Sequence, residues 1–259
     1  MRSVLYVFRQ QFINIGTIFR IAMYEKKASY KTFYFGRLWE LISPLLQILV
    51  YYLIFGVYNN RESITENKIP YIIWLLTGII PWFYISSNIV QGANSIYAQL
   101  ALISKTNFSS TILPSVTLVR NLPNFIVMEL MLFCIMYYSG MTMLVNYLSL
   151  LYYLVSMISF LFAFSLLNAT ITILFRDYKL IIASSMRLLV FLSGVIVQLQ
   201  LNSERLFSKI FKLNPLLYLI EGFRKSMLSI PTGSNPVVAG IYFWSLTGLI
   251  FMIGAICSY

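Results

Sequence analysis

The residues able to do chemistry in this sequence are few, and they fall into four groups. Arg120, Asn121, Asn124 and Glu129 share one apolar stretch, and Pro81-Trp82-Phe83-Tyr84 sits in another. Arg176-Asp177 closes a third, and Asn214-Pro215 precedes Tyr218, Glu221 and Arg224. None of these is a catalytic constellation. Histidine, the commonest general base and metal ligand, is absent. No GxxxxGKS/T loop is present to cradle nucleotide phosphates. No Asp/Glu/Cys cluster has metal-site spacing, and the serines have no base in a nucleophile motif. The sequence supports no enzymatic activity, and no catalytic, cofactor or metal site is expected in this chain.

What the polar groups can do depends on the medium around them. Of 259 residues, 59% are hydrophobic and 10% charged, with a mean hydropathy of +0.78. A soluble domain carries about 25% charged residues, so a soluble globular protein is excluded. The net charge of +11 reads as basic residues beside anionic lipid headgroups, not as a nucleic-acid footprint. Cys134 and Cys257 lie in apolar runs and are expected to be buried hydrophobes.

About 20 apolar residues cross a bilayer core as a helix. The uncharged runs 41–60, 69–104 and 130–175 then divide the chain. The fold class expected is an all-α integral membrane protein, a single transmembrane domain over residues 1–259. Spans are placed at about 41–58, 69–90, 113–138, 148–174, 180–201 and 237–257, with a turn at Gly140 to Asn146. Seven basic residues precede the first span (Arg2, Arg9, Arg20, Lys26, Lys27, Lys31 and Arg37), which puts the N-terminus inside. Six spans return the C-terminus to that side. Asn202 to Lys225 resists this count, being basic yet external; either the fifth segment does not span or an external structure tolerates charge.

Residues 1–36 form a cytoplasmic interface segment in this reading. Val4, Phe8, Phe12, Ile15, Phe19 and Met23 recur at helical spacing, with Arg2, Arg9 and Arg20 tending to the other side. That is a basic amphipathic helix suited to the inner interface.

Polar groups at membrane depth are costly and usually face a bundle interior or a water-filled path. Arg120, Asn121, Asn124 and Glu129 are expected together on one side of the third span, as a polar route or an inter-helix contact. The alternative is an internal ion pair, with Arg120 snorkelling to the inner edge. Tyr51, Tyr52, Tyr58, Tyr71 and Trp74 fit an interfacial belt. Pro81 breaks the helical ladder mid-span, and Trp82, Phe83 and Tyr84 either line a path that suits sugar faces or pack against helices and lipid.

Four passages in order resemble one family. They are Gly36-Arg37-Leu38-Trp39-Glu40 with Ser43-Pro44-Leu45-Leu46-Gln47, Trp74 to Trp82, Leu174-Phe175-Arg176-Asp177, and Asn214-Pro215 with its followers. Together they look like the permease subunits of type-2 ABC exporters in the polysaccharide-export branch, closest to teichoic-acid translocation permeases. The resemblance implies six spans, an N-terminal interface helix, and short external or re-entrant helices before the last span. It also implies a homodimer, two ATP-binding cassette ATPase subunits that hold the ATP and Mg, and a lipid-linked glycan substrate. By the same resemblance, Arg176, Asp177, Arg20 and Lys105 couple to the ATPase, and Gly92 to Phe108 is the coupling region. Trp82, Phe83, Tyr84, Arg120, Asn124 and Glu129 mark the translocation path, and Asn214, Pro215, Glu221 and Arg224 the external segment. Such permeases usually continue into a basic cytoplasmic tail, whereas this sequence ends at Tyr259. Export of wall teichoic acid across the cell membrane is the leading expectation; export of a drug or small lipid is the alternative.

Overall fold

The computed structural model describes residues 2–29, 34–58, 69–100, 109–196, 211, 213–229 and 236–258. The apolar stretches form helices because lipid offers no partner to a free backbone N–H or C=O, so each segment must satisfy its own. At the N-terminus, α1 (Arg2–Ile13) and α2 (Ile15–Ser29) are joined at Asn14. The ladder continues there, since the Asn14 and Ile18 amides donate to the Gln10 and Asn14 carbonyls. Next come α3 (Trp39–Tyr52), running into wider π-type turns at Leu53–Tyr58, and α4 (Tyr71–Ala98). They are followed by α5 (Leu113–Tyr138), α6 (Tyr147–Leu174), α7 (Tyr178–Leu192), α8 (Pro215–Leu228) and α9 (Pro236–Cys257).

Four of these, α4, α5, α6 and α9, are long and apolar enough to cross a membrane. They overlap the expected spans at 69–90, 113–138, 148–174 and 237–257, with α4 running on past residue 90 to Ala98. The turn between α5 and α6 lies where it was expected. Gly140 takes φ +70°, and the Asn146 side chain caps α6 by accepting from the Ser149 amide at 3.1 Å. The other two expected spans are shorter as α-helix. At 41–58 the chain is helical but changes to π-type turns after Tyr52. The segment at 180–201 is helical only to Leu192, about 22 Å at 1.5 Å per residue for the 15 residues of α7. Gly194 at φ +65° then turns the chain, and 197–201 lie outside the described residues.

The centre of the bundle is α4. It packs on α5, α6, α7 and α8, while α6 also supports α9, α2 lies along α5, and α1 meets α9. Within the chain, 78% of the most apolar stretch of α4 is buried, against 22% in α5 and in α9. Three sequence expectations change here. First, Pro81 does not interrupt α4, which continues to Ala98. One missing N–H is tolerated where neighbouring helices enclose the turn. Second, Tyr71 and Trp74 are 1% and 2% exposed, so they are packed in the bundle and form no belt. Third, Cys134 and Cys257 are exposed. In an apolar surrounding medium, an apolar residue gains nothing by turning inward, so the lipid-facing sides of α5 and α9 carry such residues as freely as the core.

Candidate functional site

Two cavities of about 340 and 420 Å³ run along one side of α4 and share Gln47, Phe83, Ser86, Ser87 and Gln91. They therefore form one groove. Its floor is a stripe of α4 at helical spacing: Trp82 and Phe83, then Ser86 and Ser87, then Val90 and Gln91. One wall comes from α3 (Trp39, Ser43, Gln47, Tyr51) and α5 (Asn121, Asn124, Phe125). The other comes from α7, through Ala183, Met186, Arg187, Val190 and Phe191. Amides, hydroxyls, aromatic rings and one guanidinium line a space among apolar helices. Such a surface hydrogen-bonds a polyhydroxylated molecule and stacks its apolar faces; it holds no nucleophile–base pair.

A polar network fixes the inner end of the groove. Arg120 Nη1 donates to Glu25 Oε2 at 2.7 Å, and Arg120 Nη2 donates to Gln91 Oε1 at 2.6 Å. Asn121 Nδ2 donates to the same Gln91 oxygen at 2.9 Å and to Asn88 Oδ1 at 3.0 Å. Lys26, 8% exposed, donates to Asn124 Oδ1 at 2.6 Å, and Gln99 donates to Glu25. The Arg120–Glu25 pair is partly screened, at 24% and 23% side-chain exposure. Its geometric effect is larger than its charge effect. Arginine only donates, so Gln91 must turn its oxygen to Arg120 and leave its amide donors for the groove.

Of the expected path residues, the structure brings Trp82, Phe83, Tyr84 and Asn124 to the groove wall. Tyr84 also donates to the Leu118 carbonyl at 3.1 Å, tying α4 to α5. Arg120 lies beside it, in a recess of about 160 Å³ with Glu25, and reaches the groove only through Gln91. Glu129 does not join them. Nine residues at 100° each place it half a turn from Arg120, which corrects the expectation of one shared side. The residue is 9% exposed, and neither carboxylate oxygen has a hydrogen-bond partner among the described residues.

Of the expected coupling residues, Arg20 is exposed on α2, and Lys105 lies outside the described residues. Arg176 and Asp177 are exposed at the α6–α7 corner, with no ion pair between them among the described residues. Arg176 instead sits over the Tyr97 ring at 5.4 Å, with Lys179 over the same ring at 5.5 Å. Of Gly92 to Phe108, the expected coupling region, 92–98 is the end of α4, and 101–108 lie outside the described residues.

The Asn214-Pro215 pair has a local reason. Asn214 caps α8 by accepting from the Leu216 amide at 3.0 Å, and Pro215 is the first helical residue, where its missing N–H costs nothing. Glu221 is half-buried on α8. Arg224, expected in an external segment, is 7% exposed. It donates to the Gly194 and Val195 carbonyls at 2.5 and 2.6 Å and lies 3.6 Å from the Trp74 ring centre. It is a clamp between α8, α4 and the end of α7.

Sequence reasoning missed Gln47, Ser86, Ser87, Gln91, Arg187, Glu25 and Lys26. The stripe 83, 86/87, 90/91 was a readable signal, because hydroxyls and an amide recur there on one side of an apolar helix. The Glu25–Arg120 pairing had none, since 95 residues separate the partners.

The family model described as ABC-2 type transporter matches residues 17–228. An O-antigen export system permease protein, RfbA, of Myxococcus xanthus is 28% identical over 214 residues, covering 81% of this chain and 79% of its own length. A Klebsiella pneumoniae protein of the same description is 24% identical over 246 residues, covering 93% of this chain and 91% of its own.

Proposed function

This chain belongs to the ABC-2 type transporter family, and from that premise we propose that it is the membrane permease of an ATP-driven exporter of a lipid-linked surface polysaccharide. The groove along α4 is the observation that carries the reading. Its rings and its uncharged donors and acceptors suit glycan, and it lies between α3 and α7, both of which turn apolar side chains outward. A glycan needs the polar lining, whereas its lipid anchor can stay in the bilayer beside it. The similar proteins named as O-antigen permeases support a glycan substrate. Wall teichoic acid is one polymer within this class.

The remaining parts of the reading extend the proposal. We read α3 with its π-type extension and α7 with the chain beyond it as crossing segments, giving six spans with both termini inside the cell membrane. Phe8, Phe12, Ile15, Phe19 and Met23 form an exposed stripe, while Val7, Ile18 and Ala22 pack inward. A helix pair so arranged, with basic residues at its edges, fits the inner interface. Two copies of the chain would enclose the path between them. Two ATP-binding cassette subunits would hold ATP and Mg and drive the opening.

The experiment is replacement in cells lacking their own permease. Co-expressed with its ATPase, the chain should restore polysaccharide at the surface, and the purified chain alone should hydrolyse no ATP. Drug efflux with no surface glycan would overturn the reading.

A further inference from the structure

Arg187 lines the groove as a charge that no described residue satisfies. It stands ten residues beyond Asp177 in α7, about 15 Å above the α6–α7 corner at 1.5 Å per residue. A second ruler agrees. On α4, Ser86 and Ser87 share the groove with Arg187 and lie 10 to 11 residues from Tyr97, which contacts Arg176 and Lys179 at that corner. Both measures place the backbone of Arg187 near the middle of a hydrocarbon core about 30 Å thick. Among the described residues no hydrogen bond, ion pair or ring contact reaches it, although it lines the larger cavity. A charge at that depth marks a pathway or ligand site by default, because lipid cannot solvate it.

The groups around it narrow the ligand. Gln91 has committed its oxygen to Arg120 and Asn121, so it presents donors. The Ser87 hydroxyl has no partner among the described residues. A cation with neighbouring amide and hydroxyl donors matches an anion with several acceptor oxygens. Among the described acidic residues, Glu129 is the one inside a helix long and apolar enough to cross a membrane, and it is buried in its own chain.

We infer that Arg187, with Gln91 and Ser87, forms an anion subsite of the groove that takes the phosphate or diphosphate ester joining a glycan to its lipid anchor. The inference rests on the export reading above. It explains why a permanent charge stands in a groove otherwise suited to neutral sugar. An ester phosphate passing along α4 meets a counter-charge midway, while the glycan lies against Trp82 and Phe83. The same chemistry could come from bulk phospholipid headgroups, so the test separates the two sources.

The permease–ATPase complex is placed in nanodiscs of neutral phosphatidylcholine and titrated with a fluorescent polyprenyl diphosphate. An uncharged polyprenol carrying the same label serves as control. Arg187→Met should weaken diphosphate binding by about ten- to a hundredfold, the range expected for losing charge-assisted hydrogen bonds. Arg187→Lys should retain most of it, and polyprenol should bind all three proteins alike. Methionine suits an apolar helix, and assembly of each variant is checked by size exclusion; should Arg187→Met fail to assemble, Arg187→Gln takes its place with the same expectation. Equal diphosphate binding in wild type and Arg187→Met would overturn the inference. So would wild type that does not distinguish diphosphate from polyprenol. Competition by phosphatidylglycerol as strong as that by unlabelled polyprenyl diphosphate would assign the site to bulk headgroups and overturn it as a substrate subsite. Failure of the wild-type chain to restore surface glycan in cells is a separate result, and it would sink the export reading itself.

Discussion

The guanidinium of Arg224 occupies the space that a side chain at Gly78 would need. A Cβ there would collide with the Arg224 Nη2 and Cζ atoms, so the bare backbone of α4 is what admits the arginine over Trp74. From that position Arg224 holds the two carbonyls where the chain leaves α7. Gly78→Ala should therefore push Arg224 off both. Overpacking of this kind costs about 1–3 kcal/mol, and each buried carbonyl stripped of its donor costs a similar amount. Thermal unfolding in detergent should show a lowered Tm for Gly78→Ala and for Arg224→Met. The double variant should lose less than the sum, since both act on one contact.

For the Glu25–Arg120 link, the expectation separates stability from transport. A partly exposed pair is worth about 0–1 kcal/mol, so Arg120→Gln should barely move Tm. Export should fall nonetheless, because Gln91 loses the shorter of the two donor contacts that hold its oxygen. The swap Glu25→Arg with Arg120→Glu rebuilds an ion pair but places an acceptor against the Gln91 oxygen. It should restore the Tm of the single variants without restoring export. Full recovery of surface polysaccharide in the swap would show that the pair acts only as a clasp.

At the α6–α7 corner, Arg176 should couple to Tyr97 and not to Asp177. Cation–π contacts at exposed sites are worth about 0.5–1 kcal/mol. Arg176→Ala and Tyr97→Leu should each lower transport-linked ATP hydrolysis in the assembled complex, less than additively when combined. Asp177→Ala should combine additively with Arg176→Ala. Non-additivity of that second pair would mean that the two charges meet in the working complex.

Glu129 gives a test of what does not belong to the path. Both of its carboxylate oxygens are buried without partners among the described residues. Glu129→Gln should leave export near wild type, and Glu129→Leu should raise stability by about 1–3 kcal/mol, the cost of an unsatisfied buried polar group. Loss of export at unchanged Tm in Glu129→Gln would place the carboxylate in the route after all.

Groove aromatics should tune transport at little structural expense. Phe83 lines both cavities, so Phe83→Ala should reduce glycan export severalfold while insertion and complex assembly persist. Quantitative blotting of surface polysaccharide against membrane-inserted protein would separate the two effects.

The sequence by itself determined the medium, the long helices and the turns. Uncharged runs of fixed length can only be satisfied as helices in lipid, and Gly140, Asn146, Asn214 and Pro215 set local boundaries through their own backbone preferences. It also marked Phe83, Tyr84 and Asn124, because a ring or an amide in an apolar run is visible without a partner. Only the tertiary structure decided which polar groups meet. Glu25 and Arg120 are 95 positions apart, and only the fold sets Arg224 of α8 against Trp74 and Gly78. Periodicity tells which residues share a side of one helix, but the azimuth of that side toward its neighbours is set by packing. Hence Arg187, unremarkable in sequence, was placed in the groove by the way α7 packs on α4, without a partner among the described residues.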